Sequence, residues 1–403
     1  MRIAVFTETF LPNVDGVVTQ LTRTLEELGK MGHEALVLAP GEPPDRYGSH
    51  IVARVGSFPF RPWYPEIRAG LPTPRVERAL TAFRPDVVHA VNPVCLAAYG
   101  ALSARWRDLP LLASFHTDIP QYLSALGLGP LRGAAQRWIR ATHNLAQVNL
   151  RTSGPMVEKA TGMGIRNVAL WPKAVDTRSF SPAKACPAMR FRLTHGHPED
   201  RLVLSVGRLS REKNLEALLE PIRRLPGTRL AVVGDGPHRA ELERRFAGTG
   251  TVFTGCLRGE QLAAAYASAD VFAFPSTTET LGLVALESLA SGVPVVGARA
   301  GGIPFAVDHE TTGFLVVPGD TDGFTARLRQ LLGNDVLRAR MGAAGRVEAE
   351  SLGWRAATES VVGSYQRAIQ RHGARPLAHP GPSSVRHDGQ PLLSPVVSPT
   401  GRT

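Results

Sequence analysis

Val271-Phe-Ala-Phe274-Pro-Ser276-Thr-Thr-Glu279-Thr-Leu-Gly282-Leu-Val-Ala-Leu-Glu287-Ser-Leu-Ala-Ser-Gly292-Val-Pro294-Val-Val296 reads as a buried strand, a polar loop, a helix and a second strand. The unbroken apolar run Val271 to Phe274 suits a strand covered on both faces, and Leu283, Leu286 and Leu289 recur at helical spacing. Strand–helix–strand units of this kind build a parallel sheet. Glu279 falls in the loop and Glu287 one to two turns inside the helix, two carboxylates eight positions apart. The helix start leaves the N–H groups of Gly282, Leu283 and Val284 without intrahelical acceptors, and with the helix dipole these make a site for phosphate. Glu287 is placed to accept hydrogen bonds from vicinal hydroxyls such as those of a ribose.

The same grammar runs in both directions from this stretch. Upstream, Leu202 to Val206 is a strand, Gly207-Arg208-Leu-Ser-Arg-Glu-Lys213-Asn214 a loop, and Leu215, Leu218, Leu219 and Ile222 a helix. Arg208 and Lys213 stand at one strand end as a fork and a point charge for a diphosphate. Leu230 to Gly234 runs into Gly234-Asp-Gly236-Pro, a tight turn that lacks the third glycine of a dinucleotide fingerprint. Asp320-Thr-Asp322 spells a metal-diphosphate pattern, but it follows the last strand beside Pro318-Gly319 and reads as a turn and helix cap.

The first half repeats the scheme. Arg2 to Phe6 is a strand, followed by the loop Thr7 to Asp15 and a helix opened by Gly16, with Val17, Val18, Leu21, Leu25 and Leu28 at helical spacing. Gly16 suits close approach of backbone to a phosphate or sugar, or it relieves crowding between loop and helix; the residues alone leave both open. Asp86 to His89 and Leu111 to Phe115 are further strands, and Phe115-His116-Thr-Asp118 puts a histidine and an aspartate outside a strand's carboxyl end, where α/β sheets bind ligands. Residues 54–84 mix Phe58, Phe60, Trp63 and Tyr64 with Arg54, Arg61, Arg68, Arg75 and Arg78: an anionic-lipid docking patch, or an irregular excursion packing its aromatics on the sheet.

At 403 residues the chain exceeds what one core ordinarily supports, so two domains are expected. The expected limits are a first domain over 1–178, a proline-marked linker over 179–198, a second domain over 199–353, a final helix over 354–371, and a disordered tail over 372–403, rich in Pro, Gly, Ser and His. No apolar run approaches the roughly 20 residues of a membrane span, so a cytoplasmic location is expected, at most peripheral on the inner face of the cell membrane. Cys95, Cys186 and Cys256 form no C-x-x-C pair, which fits a reducing compartment and offers no zinc framework. The formal charge of +11 has three readings: an acidic small ligand such as a nucleotide, an anionic membrane, or arginine-rich genomic composition. Nucleic acid lacks any supporting motif.

Taken together, these residues resemble the retaining glycosyltransferases of the GT-B fold, specifically glycosyltransferase family four. The resemblance rests on Pro12-x-x-x-Gly16, Phe115-His116-Thr-Asp118, Gly207-Arg208-x-x-x-x-Lys213-Asn214, Val233-Gly-Asp-Gly-Pro237, Ala267-Ser-Ala-Asp270-Val-Phe, and Glu279 with Glu287 followed by Gly292-x-Pro294-Val, in the family's order over residues 1 to about 370. It implies two doubly wound Rossmann-like domains facing across a cleft, with a nucleotide-sugar donor held mainly by the second. By it, Arg208 and Lys213 neutralise the diphosphate with the Gly282, Leu283 and Val284 amides. Glu287 holds the ribose, Glu279 the transferred sugar, and Leu257 joins the donor site. Gly16 approaches from the first domain, and His116 contacts the sugar near the reacting carbon. No metal or cofactor is implied, the anomeric configuration is retained, and by the same resemblance the helix over 354–371 returns to the first domain.

Within the family, Phe-Leu-Pro-Asn-x-Asp-Gly-Val and Phe-His-Thr-Asp are most similar to actinobacterial mannosyltransferases that use GDP-mannose on lipid acceptors, with sulfoquinovosyl transferases a little further off. Leu281 and Asp15 depart from the common pattern of Phe and a second Gly. The expected activity is therefore transfer of mannose from GDP-mannose to a lipid-linked hydroxyl. The alternatives are transfer from a UDP-sugar to a soluble natural product or polysaccharide, a nucleotide-sugar epimerase, and a non-enzymatic nucleotide-binding regulator.

Overall fold

Ile3 and Val5 enter one apolar cluster while Ala4 and Phe6 enter another, because successive strand residues point to opposite faces. Both faces of the strand are therefore buried, as in a parallel sheet covered by helices on two sides. The computed structural model describes residues 1–13, 15–60, 64–116 and 129–374. Its first large sheet is built from β1 (Arg2–Thr7), β2 (Glu34–Pro40), β3 (Arg46–Tyr47), β4 (His50–Val55), and, beyond the hairpin of β5 (Ser57–Phe60) and β6 (Tyr64–Gly70), from β7 (Val87–Val91), β8 (Leu111–Phe115), β9 (Val148–Arg151) and β10 (Val168–Leu170). The order is β10-β9-β8-β7-β1-β2-β4-β3, parallel except for the short β3.

The second sheet holds β11 (Arg201–Val206), β12 (Thr228–Val233), β13 (Val252–Gly255), β14 (Val271–Phe274), β15 (Val295–Ala298) and β16 (Gly313–Val316). Its order is β13-β12-β11-β14-β15-β16, all parallel. Each sheet reverses its direction of winding once. In the first the chain leaves β1 toward β2 and later returns to β1's other side as β7; in the second it leaves β11 toward β12 and returns beside β11 as β14. Loops at such switch points diverge and leave a crevice at the strands' carboxyl ends, which is where α/β sheets hold ligands.

The stretch 179–198, expected as a linker, carries structure of its own. Its Pro187–Leu193 helix buries Met189 and Leu193 in the core of the second sheet. Arg190 donates to Asp270 at 2.9 Å, and Arg346 donates from one nitrogen to the carbonyls of Thr177, Phe180 and Ala290. The helix Trp354–Gly373 follows the second sheet yet packs Val361, Tyr365 and Ala368 into the same core as Ile3, Val5, Leu21 and Trp171 of the first. The end of the chain thus completes the core of its beginning. Of the expected tail, residues 375–403 lie outside the described residues, as do Arg61 and Trp63. Asp320 caps the helix Thr321–Leu332 through the Gly323 amide at 2.8 Å, as its spacing predicts. No described helix is long and apolar enough to cross a membrane.

Candidate active site

Lys213 reaches the site through a loop that fits tightly against its neighbour. After β11 the chain lies against the Gly234-Asp-Gly236 turn, with the Leu209 amide donating to the Asp235 carbonyl at 2.9 Å. A methyl group on Gly236 would run into the Leu209 carbonyl, so this motif serves the packing that aims the loop. A single 3-10 turn over Arg211–Lys213 then delivers the lysine, whose Nζ lies 2.9 Å from Glu279 Oε2.

Glu279 also accepts from the amides of Thr280 (3.1 Å) and Gly282 (3.3 Å). One of the three amides expected for phosphate is therefore held by the protein's own carboxylate. Gly282 sits at φ +85°, the left-handed conformation that lets the loop turn sharply into the helix Leu283–Ala290. Burial pushes the Glu279 carboxyl up, but Lys213 and the two amides outweigh it and hold the group below its ordinary range. Glu279 is thus a fixed anion beside a fixed cation. Leu283 and Val284 occupy the first turn of the helix, where amides have no intrahelical acceptor.

Glu287, farther along the helix, has the opposite electrostatics. Burial raises its pKa to about 7, opposed only in part by the Tyr266 hydroxyl, which donates to Oε2 at 2.9 Å, and by Arg23. Tyr266 stands 21 residues before Glu287, and nothing in their spacing announces the pair. Leu257, expected at the donor site, is 8% exposed on the loop after β13 and packs in the core shared with Leu286 and Ala290.

Across the crevice, Gly16 opens the helix Gly16–Lys30, and a Cβ built there would lie 3.7 Å from Leu283 Cδ1. Two helix starts thus face one another, both presenting positive dipole ends. Asp15 caps the first of them through the Val18 amide at 2.8 Å. Burial raises its pKa, and among the influences that lower it is the Arg208 guanidinium from the opposite side. Arg208 therefore stands close enough to couple with the Asp15 loop.

His116 meets the loop through its main chain. Its carbonyl accepts from Thr280 Oγ1 at 2.7 Å, and its amide donates to Asn92 Oδ1 at 2.6 Å. The residue is 6% exposed, and its ring lies edge-on to Trp171 with both nitrogens within hydrogen-bond reach of partners, Gln20 Oε1 and Ser114 Oγ. Asp118, which sequence places beside it, lies outside the described residues. Gln20, Asn92, Ser114, Tyr266 and Thr280 were not foreseen as site residues. A signal existed for Gln20 alone, a polar residue between the inward-facing Val18 and Leu21.

The match to known proteins covers both halves. The family profile described as Glycosyltransferase Family 4 matches residues 14–179, and that described as Glycosyl transferases group 1 matches residues 190–348. A GDP-mannose-dependent alpha-mannosyltransferase of Mycolicibacterium smegmatis is 36% identical over 93% of this chain and 100% of its own length. The chain belongs to glycosyltransferase family 4.

The glycosyltransferase is also 38% identical to a sulfoquinovosyl transferase of Arabidopsis thaliana, over 89% of this chain and 72% of that one. Its fold is that of sucrose-phosphate synthase from Thermosynechococcus elongatus (TM-score 0.78, 21% identity, 92% of this chain and 99% of that chain) and of Anabaena HepE in complex with UDP (TM-score 0.74, 19% identity, 91% and 100%). These are GT-B structures, so the two sheets with their facing switch points form the GT-B architecture. As a glycosyltransferase of this family the protein falls in the hexosyltransferase class.

Proposed function

We propose that the glycosyltransferase moves mannose from GDP-mannose to a hydroxyl of a lipid-linked acceptor, with retention of anomeric configuration and without a metal. The observation that carries the reading is the convergence of Lys213, Glu279 and the first turn of the Leu283–Ala290 helix opposite Gly16. Cationic side chains and helix amides are what a departing diphosphate requires, since they stabilise charge that grows in the transition state. Arg208 and Lys213, with the Leu283 and Val284 amides, meet the diphosphate in this scheme. Glu287 accepts from the ribose hydroxyls, Glu279 orients the transferred sugar, and Leu257 lines the donor side. Gly16 and His116 approach the sugar from the first sheet.

Mannose is favoured by the full-length likeness to the mycobacterial mannosyltransferase. A lipid acceptor is supported by apolar side chains exposed among arginines: Phe58 and Leu71 near Arg68 and Arg75, and Leu131 and Trp138 beside Arg132 and Arg137. Such patches bind anionic interfaces through both area and charge. The sulfoquinovosyl transferase likeness favours a second reading, with a sulfonated sugar as the group transferred.

Purified protein with radiolabelled GDP-mannose and membranes, in the presence of a chelator, is expected to yield a labelled lipid. Donor specificity confined to UDP-sugars would overturn the mannose assignment. Loss of transfer on chelation, restored by magnesium, would overturn metal independence. Altered sugar released with no acceptor present would mark an epimerase instead.

A further inference from the structure

A chain of hydrogen-bonding groups runs from the Trp354–Gly373 helix to the edge of the crevice. The Tyr365 hydroxyl lies 2.8 Å from His89 Nδ1, and His89 Nε2 lies 2.9 Å from Ser114 Oγ. Ser114 Oγ in turn is 2.9 Å from His116 Nε2, and His116 Nδ1 is 3.1 Å from Gln20 Oε1. All five side chains are buried. They come from four elements far apart in sequence: the last described helix, β7, β8 with the residue just beyond it, and the first helix.

The two ends settle its direction. An amide oxygen can only accept, so Gln20 Oε1 requires the proton on His116 Nδ1. A neutral imidazole protonated there has its lone pair at Nε2, so Ser114 must donate to it. The Ser114 oxygen is then free to accept from His89 Nε2–H, which leaves His89 Nδ1 as the acceptor of the Tyr365 hydroxyl. The reverse order would force the tyrosine proton away from its nitrogen partner into a buried apolar surrounding and turn the Gln20 amide over, at the cost of an unpaired polar group. Burial holds both imidazoles neutral by pushing each pKa down to about 3, aided at His116 by Arg151 and at His89 by His116.

We propose that Tyr365, through His89 and Ser114, fixes His116 as the Nδ1–H tautomer, making the docked terminal helix a positioning element for the crevice. His116 is then a hydrogen-bond donor and not a base, and a sugar hydroxyl reaches its proton by sharing or displacing Gln20 Oε1. That last step rests on the sugar-facing role given to His116 above; the tautomer does not.

The test uses the full chain with ¹⁵N-labelled histidine, the His116 and His89 signals being assigned by the loss of each in His116→Ala and His89→Ala. Wild type is expected to show His116 protonated at Nδ1 only. In Tyr365→Phe the reversed order becomes competitive, so a second His116 tautomer should appear and kcat should fall about tenfold with donor KM unchanged. Ser114→Ala should behave likewise, and Ser114→Thr, which restores a hydroxyl, should recover both readouts. His116 protonated at Nε2 in wild type, or a Tyr365→Phe spectrum and kcat identical to wild type, would overturn the proposal. Wild-type turnover in His116→Ala, with the wild-type and Tyr365→Phe spectra as expected, would instead remove the sugar-facing role and leave the chain of hydrogen bonds standing.

Discussion

The Thr280 hydroxyl donates to the His116 carbonyl at 2.7 Å, joining the loop after β14 to the residue just beyond β8. The two belong to different sheets and lie 164 positions apart. The Thr280 carbonyl in turn accepts from Thr152 Oγ1 at 3.3 Å. One residue therefore registers the donor loop against the first sheet from both its side chain and its main chain. Thr280→Val keeps the shape and removes the hydroxyl. It should cost about 1 kcal/mol in denaturant unfolding and lower turnover through a loosened loop. Turnover equal to wild type would show that this bond does not align the site.

Glu279 and Lys213 form a second linked pair, and their variants should not add. Glu279→Gln leaves an uncharged acceptor beside Lys213, and turnover is expected to fall by about 10²–10³. Lys213→Met leaves Glu279 without its cation, so the carboxyl pKa rises and donor affinity drops. The double variant should be less impaired than the product of the two single effects, because each has already broken the same pair. Steady-state kinetics of the four proteins decide this, and strict additivity would mean that the two act separately.

Glu287 should make donor binding depend on pH. Its pKa is raised from the ordinary 4.5 to about 7, so between those values the folded protein holds a proton that the unfolded chain has released. Its contribution to stability is therefore complete below pH 4.5 and is lost as pH rises through 7. If the ionised form serves the ribose, donor binding at pH 6 expels a proton and tightens toward neutrality. Calorimetry in buffers of different ionisation enthalpy measures that proton. Glu287→Gln is expected to bind more weakly, with no proton release.

Gly302 backs the donor loop from beneath. Its amide donates to the Glu279 carbonyl at 2.7 Å, and a methyl group on it would run into the Thr280 carbonyl. Its φ is negative, so alanine meets no backbone strain of its own and acts through that contact alone. Gly302→Ala should displace Glu279 and Thr280 and reduce turnover at least tenfold, while circular dichroism stays that of the folded protein. Full activity would mean that the loop tolerates the shift.

Much of this was legible in the chain. Unbroken apolar runs followed by helical spacing are enough to specify strand–helix units, because burial on two faces leaves no room for polar residues in the strands. Glu279, Lys213 and Arg208 stood out as candidates because each lies in a loop that follows such a strand, where the parallel sheet must open, and Glu287 because it lies on the helix that one of those loops feeds. Tyr266, Thr280 and Ser114 did not, since a hydroxyl joins the candidate site only through the partner it meets, and every partner here but one comes from another element. The exception is the Ser114–His116 contact, two positions apart, and even there the direction of the bond depends on Tyr365 at the far end of the chain.

By itself, then, the sequence determined the alternation of strands and helices, the loops that carry charge, and the family. Those are local properties, governed by periodicity and by which groups a strand end exposes. Only the tertiary structure decided that Glu279 is tied to Lys213 and to its own loop amides, that Glu287 is desolvated enough to titrate near neutrality, and that the last helix reaches His116 through a file of buried donors. Each of these depends on distance and exclusion of water between residues far apart in the chain, and neither quantity exists before the chain has folded.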